Sequence, residues 1–174
     1  AFESANVGTW DVVADVSITA GNDLGNYSLI NSTATAQAEI TPKDLLIEIT
    51  ADPKVYNGND EAVTLATVRS GDLVGTDVVS VLSENGAFES ANVGTWDVVA
   101  DVSVAAGNDL GNYSLLNSTA TAQAEITPKD LVIEITVDPK VYDGSADVGS
   151  EQLSFTDDRL SGDVFEITYS SAFF

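Results

Sequence analysis

Two tracts of this 174-residue chain carry the oxygen-rich composition of a calcium loop. Gly21-Asn22-Asp23-Leu24-Gly25-Asn26-Tyr27 returns as Gly107-Asn108-Asp109-Leu110-Gly111-Asn112-Tyr113. Asn22, Asp23 and Asn26, with their copies Asn108, Asp109 and Asn112, offer the side-chain oxygens that hard cations prefer. The alternate ligand spacing and closing Glu of an EF-hand loop are missing. In the competing reading each tract is a turn: the Asn and Asp side chains bond local backbone and the Tyr ring caps the core.

Other chemistry is harder to assemble. The chain has no histidine and no cysteine, which removes the commonest general base, the commonest transition-metal ligand and any thiolate site. Carboxylate pairs such as Asp11/Asp15 or Asp157/Asp158 would act as acid and base only if one were buried with a raised pKa. No apolar nest or partner cation in the sequence provides for that. The scarce lysines at 43, 54, 129 and 140 are candidates for a self-formed Lys-to-Asn crosslink between strands. Trp10 and Trp96 read either as core or as sugar-stacking platforms. The expectation is a protein that is not an enzyme.

Six Lys plus Arg stand against 28 Asp plus Glu, a net charge of -22. Nucleic acid and anionic membranes are poor partners for such a surface. No run of about 18 apolar residues is present to span a membrane.

The elements that must position these residues are set by a repeat. Residues 1–58 recur at 87–144, a period of 86, with six differences in the matched stretch. Apolar pairs such as Ile18/Val104, Ile30/Leu116 and Leu46/Val132 are the exchanges a packed interior tolerates. Segments rich in β-branched and aromatic residues at 9–18, 26–30, 35–40, 45–50, 63–68 and 77–82 read as strands. Gly21-Asn22-Asp23, Tyr56-Asn57-Gly58, Ser70-Gly71-Asp72 and Glu84-Asn85-Gly86 read as the turns between them. Val55-Tyr56-Asn57-Gly58 and Val141-Tyr142-Asp143-Gly144 have the composition of tight hairpins. No helical periodicity competes, so the expected fold class is all-β: tandem Ig-like antiparallel β-sandwich repeats. Thr41-Pro42-Lys43-Asp44 and Thr127-Pro128-Lys129-Asp130 mark junctions, because proline breaks the ladder. Residues 1–43 are then the C-terminal half of one repeat, 44–129 a complete repeat, and 130–174 the N-terminal half of the next. The repeat begins again at Ala172-Phe173, which matches Ala87-Phe88.

Read from Lys140-Val141-Tyr142-Asp143-Gly144 through Ser161-Gly162-Asp163, and from Asn92-Val93-Gly94-Thr95 to Ile126-Thr127-Pro128-Lys129, the chain resembles the YDG/MBG repeats of large bacterial surface and secreted adhesins. The resemblance implies an extracellular, bacterial cell-surface stalk or fibre module and supplies no catalytic residues. The incomplete halves at 1–43 and 130–174, rather than the resemblance, suggest end-to-end association in which the terminal halves of neighbouring molecules complete one another; the alternative is a window on one longer continuous fibre. A calcium-dependent adhesive or glycan-binding module, engaging a host or environmental surface ligand through residues 21–27 and 107–113, is the alternative.

Overall fold

A computed structural model describes residues 1–170; the return of the repeat at Ala172-Phe173 lies outside the described residues. The chain is all-β, with no α-helix among those residues. In chain order the strands are β1 (Gly8–Asp15), β2 (Thr33–Ile40), β3 (Lys43–Leu45), β4 (Ile47–Ala51), β5 (Lys54–Val55) and β6 (Thr64–Val68). They continue as β7 (Ser80–Phe88), β8 (Gly94–Ala106), β9 (Tyr113–Leu115), β10 (Thr119–Thr127), β11 (Ile133–Val137) and β12 (Leu153–Asp157).

Pairing sorts these strands into three sets. The first terminal set is the antiparallel pair β1–β2, and the last is the antiparallel pair β11–β12. Between them, residues 43–127 pair only among themselves: a sheet in the order β5-β10-β8-β7, the antiparallel pair β4–β6 and the short parallel pair β3–β9. Most ladders are antiparallel, as expected. The two parallel contacts, β5 with β10 and β3 with β9, are two- and three-residue edge pairings.

Alternation along β8 explains where the core sits. Val98, Ala100 and Val102 point inward and are buried, while Val99, Asp101 and Ser103 are exposed; a period of two puts alternate side chains on one face. Three buried clusters follow that face from one end of β8 to the other. Val98 joins Phe88, Ala124 and Ile126; Ala100 and Val102 meet Ile47 and Ile49 of β4; Val104 lies against Leu45, Val79 and Tyr113. The 13 residues of β8 set these ends roughly 40 Å apart.

Three sequence expectations change. Glu84-Asn85-Gly86 is not a turn but a bulge within β7, where the register with β8 shifts between Glu84 and Ala87 and Asn85 takes φ 54°. Gly86 suits the site because a Cβ there would stand 2.7 Å from the Ala62 carbonyl oxygen, closer than real packing allows. Tyr56-Asn57-Gly58 does not close a tight hairpin either. It lies in the long connection from β4 to β6, just after β5 has paired with β10. Finally, Tyr27-Ser28-Leu29 is not a strand, although its copy Tyr113-Ser114-Leu115 is. The copy has β3 beside it; the first has no partner, and an unpaired segment has no ladder to hold it extended.

Candidate functional site at the segment junctions

The tract read either as a turn or as a calcium loop folds as a short 3-10 turn in both copies. Asp23 and Asp109 accept from Asn26 and Asn112 through backbone at 2.9 Å, and Leu24–Asn26 and Leu110–Asn112 form matching 3-10 turns. In the second copy the side chains already have partners. Asp109 Oδ2 accepts the Val78 amide at 3.0 Å, and Asn112 Oδ1 accepts the Val7 amide at 2.9 Å. Asn112 Nδ2 also donates to Asn6 Oδ1 at 3.2 Å. Asn22, Asp23, Asn26 and Asn108 are exposed. The structure therefore brings Asp109 and Asn112 into bonds with protein and leaves the other four at the surface. Among the described residues no three acidic, histidine or cysteine side chains gather as a metal group.

Asn112 thus ties residues 43–127 to the segment before them. At the other end of the molecule Tyr56 ties them to the segment after: its hydroxyl donates to Asp163 Oδ1 at 2.9 Å. That bond to a carboxylate pushes the Tyr56 hydroxyl above its ordinary pKa, with some burial adding to it. Leu160 lies close by, 3.4 Å from where a Cβ on Gly58 would stand. The two junctions share a polarity. At the first, Val74 of the loop after Ser70-Gly71-Asp72 lines a pocket with Ala5, Val7, Ile40, Thr41 and Tyr113. At the second, the matching Ser161-Gly162-Asp163 loop meets Tyr56.

Each scarce lysine fastens a loop. Lys43 donates to the carbonyl oxygens of Gly71, at 2.9 Å, and Asp72. Its copy Lys129 holds Asp158 by the carbonyl oxygen at 3.0 Å and by Oδ2 at 2.6 Å. Lys54 holds Asn59 O, Asn59 Oδ1 and Glu61 O, each at 2.8 Å, and Lys140 reaches the Asp147 carbonyl oxygen at 2.7 Å. For the candidate crosslink, Lys54 does meet an asparagine, Asn59, but the two lie five residues apart on one loop. The equivalent of Asn59 in the next copy is Ser145. An ammonium donating to three oxygens also lacks the free electron pair a nucleophile needs.

Sequence reasoning missed the amide-holding roles of Asp72 and Asp158. Asp72 is buried, and its Oδ2 accepts the Leu46 amide at 2.9 Å while Oδ1 accepts from Arg69. The Leu46 amide, then Arg69, holds its carboxyl below the ordinary value against the opposing effect of burial. Asp158 does the same for the Val132 amide at 2.8 Å. Both carboxylates lie 29 positions beyond their lysines and 26 beyond the amides they hold, a separation too long for any local pattern to announce the pairing.

The remaining candidates resolve on the same terms. Asp157 is held down to about 2 by the Arg159 guanidinium, which donates to both its oxygens at 2.7 and 2.6 Å. Lys129 and the Val132 amide lower Asp158. Both shifts oppose the raised pKa that an acid catalyst requires. Trp10 and Trp96 are half-buried, and each indole Nε1–H donates at 2.7 Å to the carbonyl oxygen four residues back, Asn6 or Asn92. Gly94 takes φ 150°, and a Cβ there would come within 3.1 Å of the Trp96 ring. The indole is folded over its own strand entry.

The segment that carries the paired lysine, the junction tyrosine, the buried aspartate and the Asn112 turn has a family match. A YDG domain lies at residues 41–122. No curated protein and no solved structure matches the chain. The YDG domain opens at the Thr41-Pro42 junction, contains β3 to β9 and ends inside β10. Lys43, Tyr56, Asp72, Asp109 and Asn112 all fall within it.

Proposed function

We propose that the chain is a mechanical module of a bacterial extracellular adhesin or surface filament, built from tandem β-sandwich repeats with boundaries near 43/44 and 129/130. The observation that carries this reading is the bonding of residues 43–127 at both ends: Asn112 to Asn6 and Val7, and Tyr56 to Asp163. A catalytic or recognition site gathers polar groups in one cleft with free valences. Here Asp109, Asn112 and the four lysines singled out in the sequence fasten loops or bridge segments. Tyr56 packs on the Val98 cluster and Tyr113, beside Asn112, belongs to the cluster at Val104, toward opposite ends of β8, so tension applied through the two junctions runs along the sheet. The acidic coat keeps adjacent fibres apart and soluble. The resemblance to adhesin repeats supports the extracellular location.

Small-angle scattering on the full chain, at a concentration where it is monomeric, tests the reading. The wild type gives an elongated, narrow distance distribution. Asn112→Ala combined with Tyr56→Phe broadens it while the far-ultraviolet circular dichroism stays unchanged. Identical scattering profiles would contradict a role for these bonds in holding the segments in line.

A further inference from the structure

Two asparagines of the chain precede glycine, in Asn57-Gly58 and Asn85-Gly86. A glycine nitrogen can attack the side-chain carbonyl carbon of the residue before it, because no Cβ shields the approach. The two sites hold these groups in opposite ways.

Asn57 and Gly58 are exposed and lie outside every strand, and Gly58 takes φ 82°. Asn57 Oδ1 accepts the Asn59 amide at 3.3 Å, an Asx turn that folds the side chain back along its own backbone. The same bond stabilises the negative charge that this oxygen gains when a nucleophile adds to Cγ. Among the described residues nothing accepts from the Gly58 amide or from Asn57 Nδ2. The attacking and the departing nitrogen are both unbound. Anchored residues flank them: the Tyr56 amide donates to the Thr127 carbonyl oxygen at 2.8 Å, and Asn59 accepts Lys54 at its carbonyl oxygen and at Oδ1.

Asn85 is held away from that geometry. Its Nδ2 donates across the sheet to Asp101 Oδ2 at 2.8 Å, and its backbone takes φ 54° inside the bulge of β7. The Gly86 carbonyl oxygen accepts the Ala62 amide at 2.8 Å, and Thr64 closes round the same glycine. To bring Cγ onto the Gly86 nitrogen, the side chain must leave Asp101 and the bulge must open.

We propose that Asn57-Gly58 is a self-modification site, at which the folded chain converts asparagine to aspartate and isoaspartate without an enzyme, while the bulge preserves the chemically identical Asn85-Gly86. The Gly58 nitrogen gives its proton to hydroxide and bonds to Asn57 Cγ; the Cγ–Nδ2 bond breaks, and the departing nitrogen takes a proton from water and leaves as ammonia. The succinimide ring then adds one water. Addition at Cγ breaks the bond from Cγ to the Gly58 nitrogen and leaves aspartate on an unchanged main chain. Addition at the Asn57 main-chain carbonyl carbon routes the chain through Cβ and Cγ, as isoaspartate. Water replaces ammonia, and nothing is oxidised or reduced.

The second copy displays the setting that awaits the aspartate product. At Asp143, the copy of Asn57, Oδ1 accepts the Ser145 amide at 3.0 Å, and Lys140 donates to the two carboxylate oxygens at 3.0 and 3.2 Å. Isoaspartate instead adds a main-chain atom between Tyr56, which holds Asp163, and Gly58, which faces Leu160. It loosens the second junction. This chemistry goes beyond the mechanical reading and holds whether or not the chain bears load.

Full-length chain aged in warm, mildly alkaline buffer made with heavy-oxygen water, then digested in ordinary water and sequenced by mass spectrometry, tests the site. Only conversions during ageing carry the label. In the folded chain the Asn57 peptide exchanges NH for labelled oxygen, as a mixture of aspartate and isoaspartate, at least about tenfold faster than the Asn85 peptide, the effect of having to break one or more hydrogen bonds. In denaturant the two rates converge. Equal rates in the folded chain, or an Asn57 that outlasts Asn85, overturn the proposal. A gap of the same size in denaturant also overturns it, since the cause would then lie in the neighbouring residues and not in the fold.

Discussion

The side chain of Asn112 takes the Val7 amide at 2.9 Å, 105 positions away in sequence, from the tip of a turn whose composition suggests a cation site. Its oxygen is committed to backbone and its nitrogen to Asn6. A turn that joins two segments needs the same small polar residues as a calcium loop, because both uses draw on short side chains that reach backbone or ligand from tight geometry. Location decides between the two.

Replacing Asn112 with Ala therefore loosens one junction without touching the core. Residue-resolved hydrogen exchange should show the Val7 amide opening about tenfold more readily, the effect of losing one such bond. Exchange at Val98 and Val102 should be unchanged. A large drop in the global melting temperature would mean that Asn112 supports the core.

Calcium should find little to hold. With Asp109 and Asn112 already bonded to Val78 and Val7, adding calcium in millimolar amounts should shift the melting temperature by about as little as adding a chelator. A saturable rise, removed by chelator and by Asp109→Asn, would restore the calcium-dependent reading.

Stability should fall at both extremes of pH. Asp72, Asp143, Asp157 and Asp158 have folded pKa values below their ordinary one, Asp157 at about 2. Their contribution is complete above about pH 4 and is lost as pH falls through the folded values. Tyr56 is raised by its bond to Asp163, and Tyr113 by burial and then by its bond to Asp77. Their neutral forms favour the fold, and that contribution is lost as pH rises above about 10. Melting in about 1 M salt, where the screening length is about 3 Å and general self-repulsion is small, should give a plateau with two flanks. Asp72→Asn should shrink the acid flank; an unchanged flank would contradict the role given to Asp72.

The sequence period makes a sharp comparison possible in the core. Ile47→Ala should cost about 2 to 5 kcal/mol in chemical denaturation of the monomer, as for other buried aliphatic truncations. Ile133→Ala, at the matching but exposed position in the last segment, should change monomer stability by less than about 0.5 kcal/mol. Equal effects would show that the two positions share one environment in a single molecule.

Much of this was legible in the residues alone. Alternation along Thr95–Val104 foretells a half-buried strand, because hydrophobic patterning is a local signal; the aliphatic exchanges do not mark the core, since Ile18, Ile30, Leu116 and Val132 are exposed and Leu46 and Val104 only partly buried. The bulge at Asn85-Gly86 was not legible: the same pair makes a turn or a bulge depending on whether its flanks pair with each other or with a third strand. Tyr27-Ser28-Leu29 and Tyr113-Ser114-Leu115 make the point most plainly, since one sequence is a strand and the other is not. The partner strand, not propensity, decides. The roles of Asp72 and Asp158 were not legible because each acts on an amide 26 positions away, and such pairs exist only once the chain has folded.

Pulling a single full-length molecule by its two ends tests the central claim most directly. If residues 44–129 form one self-contained β-unit that transmits load, extension should show one discrete rupture releasing the chain length of about 86 residues, roughly 300 Å when extended. Smooth extension, or several smaller ruptures within that span, would contradict it.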